Sequence, residues 1–442
     1  MKTGLAVALG GLAVVLAGCT GLTPADRAPR GDPVARLSPS GPAPWREDFG
    51  DPVLADLLRQ ADAGALDTKV ALARLEQADA EVEAARALRG INAVAGVETA
   101  VGGRNFRSAR SAATPTLEIT DEVDVWGRFS SARRAARLAG QAATLDVASA
   151  RLLVGAETVR AYLALAGAQQ AEARAERRQR LAEQALELVQ TRLSQGVASP
   201  PDLAARRAGV RAAAELVQRA RDEATLQAAR LRDLTGGRAT LALSATAPSP
   251  GPPAAALPST VVDTRPDVRA AQARLAAADQ RRASAIAATR PQFQIAAALG
   301  APDATLATLL DVRALAWAAA ASASQQILDG GARRARVHAA TAEADLADLA
   351  YRQTVLNAWS EVREAVIAEA QARRGLAATE ADISAARAAL DIGQTRHAAG
   401  VVDGLGLIAL RDALEQATAA QARAQLQLAE AHVQLTLATG GA

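Results

Sequence analysis

Thr116-Leu117-Glu118-Ile119-Thr120-Asp121-Glu122-Val123-Asp124-Val125-Trp126 alternates apolar and polar side chains with a period of two. Leu117, Ile119, Val123 and Val125 fall on one side, Glu118, Thr120, Glu122 and Asp124 on the other, and only Asp121 interrupts the apolar set. This is the pattern of a β-strand with one face against an apolar environment. Residues 292–300 repeat it more weakly, with Phe293, Ile295, Ala297 and Leu299 against Gln292 and Gln294. Leu315, Trp317, Ala319, Ala321, Ala323 and Ile327 form a further odd-numbered face opposite Ser322, Ser324 and Gln326, and 91–101 is the weakest of the four segments. Strands are predicted over about 91–104, 115–126, 292–300 and 315–328. A transmembrane β-strand needs about 9–11 residues of this pattern; a small half-buried soluble sheet reads alike from these residues alone. Open edges are not tolerated in lipid, and about eight strands are needed to close a filled barrel. Four strands that span a membrane must therefore share a barrel with other copies. Three copies supply twelve strands, with Glu118, Glu122 and Asp124 turned to a water-filled lumen.

The N-terminus supports a membrane destination. Lys2 precedes an apolar run of about 14 residues, too short for a spanning helix and of the length of a secretory signal. The run ends in Leu16-Ala17-Gly18-Cys19, and Cys19 is the chain's single cysteine. That tetrad resembles the bacterial lipobox, which implies a signal peptide over 1–18 and lipidation of Cys19. Thr20 follows the cysteine, which in such lipoproteins implies release to the outer membrane. Residues 19–44, rich in Pro, Gly and Ala, read as a lipidated tether.

Behind the strands lies a duplication. Gln190-Thr191-Arg192 followed by Gly196-Val197 recurs 204 residues later as Gln394-Thr395-Arg396 followed by Gly400-Val401, and Thr235-Gly236-Gly237 recurs as Thr439-Gly440-Gly441 at the same spacing. Arg74-Leu75 with Ala78-Asp79 returns as Arg274-Leu275 with Ala278-Asp279, 200 residues on. The two repeats cover 45–243 and 261–442, joined by a Pro-rich linker over 244–260. Each is predicted to hold a helix (about 67–89 and 266–289), two strands, a very long helix (about 130–193 and 332–397), a glycine break and a last helix of about 34 residues. Leu203, Val210, Val217, Ala224 and Leu231 recur every seven residues, as do Leu407, Leu414, Gln421, Leu428 and Leu435. Leu138, Leu145, Leu152 and Val159 give the long helix the same period, so coiled-coil packing of one long helix against two shorter ones is expected. The fold class is mainly α with a β-barrel part.

Composition excludes other classes. Half of the 442 residues are hydrophobic, but aromatics are only 2%, so small side chains pack between close backbones. The net charge of +3 is interspersed rather than concentrated in an aromatic-laced basic patch, which argues against a nucleic-acid partner. One Cys and three scattered His (His338, His397, His432) supply no metal module. No nucleophile–base set and no phosphate loop is present. Neither an enzyme activity nor a cofactor is expected.

Further motifs occur in order along both repeats. They are Trp45-Arg46-Glu47-Asp48-Phe49 with Asp51-Pro52-Val53-Leu54; Asp124-Val125-Trp126-Gly127-Arg128; Leu257-Pro258-Ser259 with Thr264-Arg265-Pro266-Asp267-Val268-Arg269-Ala270-Ala271; and Ile327-Leu328-Asp329-Gly330-Gly331. With the lipobox and the duplication, the chain resembles the TolC-like outer-membrane efflux proteins, in particular the lipoprotein (NodT-type) branch. The resemblance implies a homotrimer with one twelve-stranded barrel in the outer membrane, continued by an α-helical tunnel into the periplasm. It also implies a periplasmic adaptor protein and an inner-membrane transporter of the RND type as partners, in an efflux pump for drugs or other small molecules. A type I protein secretion duct uses the same fold, and a coiled-coil lipoprotein without a pore shares the heptads and the anchor.

In this family the breaks at Gly196 and Gly400 would form the periplasmic tip. Asp202 and Asp403 lie just beyond them, placed to cap the following helices. The functional alternative is an acidic ring from three copies, with Arg192 or Arg396 in gating ion pairs. The chain departs from part of the family pattern here, with Gly406 and Ala409 where some members carry acidic residues. Aromatic girdles are thin as well: Phe106, Trp126, Phe129, Phe293 and Trp317 are the aromatics in or beside the strands.

Overall fold

The computed structural model describes residues 49–102, 110–237, 261–300 and 316–441. The signal sequence, Cys19, the tether, the whole inter-repeat linker 244–260 and Phe106 lie outside the described residues. All described residues fall within one compact unit, Ala43–Ala442.

The first repeat opens with a helix absent from the sequence expectation, α1 (Pro52–Gly64). Asp51 caps it, accepting from the Val53 and Leu54 amides at 2.8 and 3.4 Å, and Pro52 occupies the first turn, where its missing N–H costs nothing. Leu54, Leu57, Leu58 and Ala61 recur at helical spacing and are buried. Next come α2 (Leu66–Ala87), β1 (Asn92–Gly102), β2 (Arg110–Val123), α3 (Arg128–Ser194) and α4 (Pro200–Leu234). The second repeat supplies a single turn α5 (Val261–Thr264), then α6 (Pro266–Ala287), β3 (Gln292–Gly300), β4 (Ala316–Ser324), α7 (Ala332–Ala398) and α8 (Gly404–Ala438).

The duplication is visible element by element. Both α3 and α7 have 67 residues, and both α4 and α8 have 35. At 1.5 Å per residue the long helices reach about 100 Å. Helix α3 packs along α4, α2, α6 and α8, while α7 packs along α8 and α6. Each repeat is thus one long helix against two shorter ones. The seven-residue positions lie on the seams: Val217, Leu231, Leu407, Leu428 and Leu435 are buried. Leu407→Asp would place a carboxylate at a site 9% exposed, where desolvation penalises the charge. The expected result is a loss of folded protein in detergent, read by circular dichroism and by size-exclusion yield.

The four strands form one antiparallel sheet in the order β1-β2-β3-β4. Its register puts every alternation in phase. Ile119 faces Ala93 and Ala297, Leu117 faces Ala95 and Leu299, and Leu299 faces Trp317. Directly paired residues share a face, so these side chains make one apolar surface with Phe293, Ile295 and Val123. The other face carries Glu118, Thr120, Glu122, Gln292, Gln294, Ser322 and Ser324. Asp121, opposite Ile295, is the lone charge on the apolar side. Inner strands β2 and β3 come from different repeats, and β1 and β4 are left as the sheet's edges. Three strand boundaries differ clearly from the sequence expectation, the first being that β2 begins at Arg110, ahead of the expected 115. Strand β2 ends at Val123, and β4 ends at Ser324, so Asp124, Val125, Trp126 and Ile327 lie beyond the strands. Among the described residues no helix is long and apolar enough to cross a membrane.

Candidate conduit: sheet, junctions and tip

Strand meets helix through a charged and aromatic joint. The Asp124 carboxylate accepts from the Phe129 and Ser130 amides at 3.1 and 2.8 Å, satisfying donors in the first turn of α3. This capping is why the strand stops before Asp124. Gly127, at φ +75°, makes the sharp entry. Arg128 pairs with Glu122 at 2.5 Å and stacks over Phe129 at 4.0 Å, linking the polar sheet face to the long helix. The Trp126 indole N–H donates to the Pro291 carbonyl at 2.7 Å, and Arg290 lies 4.8 Å over its ring. That contact ties the end of β2 to the start of β3. In the second repeat Asp329 does the work of Asp124. It accepts from the Gly331 and Arg333 amides and from the Arg333 guanidinium, whose hydrogen bond, with those of the backbone, lowers its pKa to about 2. The roles of Arg128, Arg290 and Arg333 were not expected from sequence; their partners are set by how strand ends meet helix starts.

At the opposite end of α3 and α7 the chain turns. Gly196 and Gly400 hold φ of +77° and +71°, which only glycine adopts without strain, and each ends a long helix. Ser199 is the N-cap of α4, and Asp202 completes a capping box by accepting from the Ser199 amide at 2.9 Å. Asp403 is the N-cap of α8 and accepts from the Gly406 amide at 2.8 Å. The two carboxylates are thus not equivalents: shifted by 204 residues, Ser199 matches Asp403, and Asp202 matches Gly406. The Ser-x-x-Asp spacing at 199–202 would have disclosed the box.

The tip residues are paired unevenly. Arg192, in the last turn of α3, donates to Asp403 at 2.7 Å, joining the two repeats. Arg396 has no ion-pair partner among the described residues, whereas His397 contacts the Val402 carbonyl at 2.8 Å and clasps the second turn. Hydrogen bonds from the Gly406 amide and then from Arg192 hold Asp403 below its ordinary value of 3.8. Asp202 is lowered by the Ser199 side chain and amide. No group of residues that could hold a metal occurs among the described residues.

An in-phase amphipathic sheet with open edges, set on paired 67-residue helices that end in a capped double turn, is the build of an outer-membrane duct protein. The comparisons with known proteins agree. The chain belongs to the family described as outer membrane efflux protein, whose model matches residues 57–237 and 257–441. It is 27% identical to the pyoverdine export outer membrane protein OpmQ of Pseudomonas putida over 413 residues, covering 90% of this chain and 87% of that one. It is 28% identical to the outer membrane protein OprJ of Pseudomonas aeruginosa, covering 81% and 77%. Nodulation protein T of Rhizobium leguminosarum bv. trifolii is 23% identical over 90% of this chain and 87% of that one. Among solved structures, the outer-membrane channel OprN superposes with a TM-score of 0.80 at 27% identity, covering 91% of this chain and 93% of that one. CusC reaches a TM-score of 0.82 at 19% identity, covering 92% and 96%, a likeness of fold. The protein is an outer-membrane efflux channel, the exit duct of a tripartite pump.

Proposed function

We propose that three copies of this chain assemble into one twelve-stranded barrel, lipid-anchored at Cys19, which passes small molecules outward from the periplasm. A periplasmic adaptor would dock near the tip, and an inner-membrane transporter of the RND type would supply the energy. The edges of β1 and β4, unpaired among the described residues, carry the reading. A sheet edge in lipid leaves backbone donors and acceptors without partners, and closure with further copies removes every edge. An exposed apolar stripe on α7, including Leu346, Leu349, Leu356, Trp359 and Ile367, supports a neighbouring subunit along the helical part as well. In the assembled barrel Glu118 and Glu122 line water, and Asp124 sits at its periplasmic rim. Native mass spectrometry of the particle extracted from outer membranes is expected to give the mass of three lipidated chains. A stable monomer in mild detergent would overturn the assembly.

The Arg192–Asp403 pair is assigned to holding the tip closed. Asp403→Asn separates the two jobs of this residue, because Asn caps a helix as well as Asp but carries no charge for Arg192. The expected outcome is an intact trimer with raised conductance in planar bilayers. Acid should act in the same direction. Asp403 has a lowered pKa, so the pair is fully present above 3.8 and is lost as pH falls through the lower, folded-state value. The parent is expected to open there, while Asp403→Asn conducts alike on both sides.

A further inference from the structure

The four helices α4, α3, α8 and α7 enclose a groove of about 1110 Å³ on one face of the wall they form. Five arginines line it against two glutamates. Three arginines are committed. Arg178 pairs with Asp412 at 2.7 Å, and Arg160 and Arg230 share Glu157. Arg174 reaches only Gln170, at 3.4 Å, and Arg423 has no ion-pair partner among the described residues. Their guanidiniums feel each other's charge. Burial, then Arg177, and then Arg423 lower the pKa of Arg174, against the opposing pull of Glu415. Ala164, Ala168, Ala171, Ala419 and Ala422 floor the groove, so nothing bulky fills the space before these two cations.

The groove faces away from α1. Tyr162, whose hydroxyl donates to Asp51 at 2.6 Å, turns toward α1, while Arg160, Ala164 and Arg178 lie on the opposite side of α3 at 100° per residue. The groove positions also continue the polar face of the sheet. Ala132 and Ala139 line a cavity beside Arg128, the partner of Glu122, and fall at multiples of seven from Arg160, Gly167 and Arg174. One stripe of α3 thus runs from the sheet's polar face to the groove.

We propose that this groove is an anion-binding station on the inner wall of the duct, at which Arg174 and Arg423 hold the carboxylate or sulfonate of a small organic solute. The proposal rests on the duct reading and adds to it a preference for anionic cargo. Two guanidiniums without carboxylate partners suit such a group, since each can donate two parallel hydrogen bonds. The volume is that of a site for a drug-sized molecule.

The test uses the fluorescent trisulfonate pyranine and the full-length detergent-solubilised protein. Fluorescence anisotropy should show binding that salt weakens, and Arg174→Gln/Arg423→Gln should weaken it at least fivefold. Arg219→Gln, on an exposed i,i+4 pair of α4, should leave it unchanged. Folding of each variant is checked by circular dichroism, and the single Arg423→Gln serves if the double variant is lost. In bilayers under a KCl gradient, the reversal potential of the variant should shift toward cation preference. Equal binding and equal reversal potentials in parent and variant would overturn the station while leaving the duct intact. A preparation that neither assembles nor conducts would overturn the duct and the station with it.

Discussion

Arg265→Ala lowers the thermal unfolding midpoint of the detergent-solubilised protein and moves its acid unfolding to higher pH. Arg265 is 7% exposed, and its guanidinium holds three elements together. It forks onto Asp267 at 3.0 and 2.7 Å, reaches Glu361 of α7 at 2.7 Å, and donates to the carbonyl of Ala438 at the end of α8 at 2.8 Å. Removing one partner of a buried pair costs about 3–5 kcal/mol. The carboxylates of Asp267 and Glu361 are 41% and 47% exposed and rehydrate in part, so the lower end, about 3 kcal/mol, is expected here. Lys rescues little, because a point charge cannot satisfy three acceptors in a plane. The acid shift has a definite sign. Burial pushes the Asp267 carboxyl up, but hydrogen bonds and charge from Arg265 outweigh it and leave the group below 3.8. Its contribution is complete above 3.8 and lost as pH falls through the lowered value. Without Arg265 burial is opposed only by hydrogen bonds from the Val268 and Asp267 amides, and the carboxyl protonates at higher pH than in the parent.

Gly64→Ala is expected to be at least as damaging, through sterics alone. A Cβ on Gly64 would lie 2.4 Å from the carbonyl oxygen of Thr235 and 2.6 Å from its carbon. Both are backbone atoms at the end of α4, and Thr235 is fully buried with its hydroxyl bonded to the Leu231 carbonyl at 2.8 Å. Neither side can yield as a side-chain tip would. Overpacking a rigid site costs about 1–3 kcal/mol or more, and backbone contact on both sides points to the upper part of that range. Gly209→Ala is the matched comparison, since a Cβ there meets nothing within 4 Å on an exposed part of α4. It should stabilise by about 0.5–1 kcal/mol by lowering the entropy of the unfolded chain. Equal midpoints for the two variants would show that α1 and α4 do not meet as described.

Arg265 and Gly64 also show where sequence reading stops. The period-two alternation at 116–123 and the period-seven leucines are local signals, and both lie on the faces they imply. The repeat was legible because its landmarks keep their spacing. The partners of Arg265 at Ala438 and Glu361 are 173 and 96 residues away, so the motif Thr264-Arg265-Pro266-Asp267 could be noticed but not explained. Helix α1 has an apolar stripe at Leu54, Leu57, Leu58 and Ala61, yet at 13 residues it is short enough that the sequence reads as a motif rather than as a helix. At the tip the carboxylates stand out in the sequence, whereas the cap supplied by the Ser199 hydroxyl shows only in the Ser-x-x-Asp spacing. The groove could not be read, because Arg174 and Arg423 come from helices of different repeats, α3 and α8, that meet only through tertiary packing.

The unbroken length of α3 and α7 bears on how such a duct moves. Each is a single 67-residue helix from the sheet junction to the tip, without a proline in its interior, and helices kink sharply only at a few kinds of interruption. A protomer therefore has two stiff struts that fix the distance between membrane and tip. If three copies form the proposed duct, widening at the tip would fall to α4 and α8, with the glycine turns at 196 and 400 as the points where the backbone can swivel.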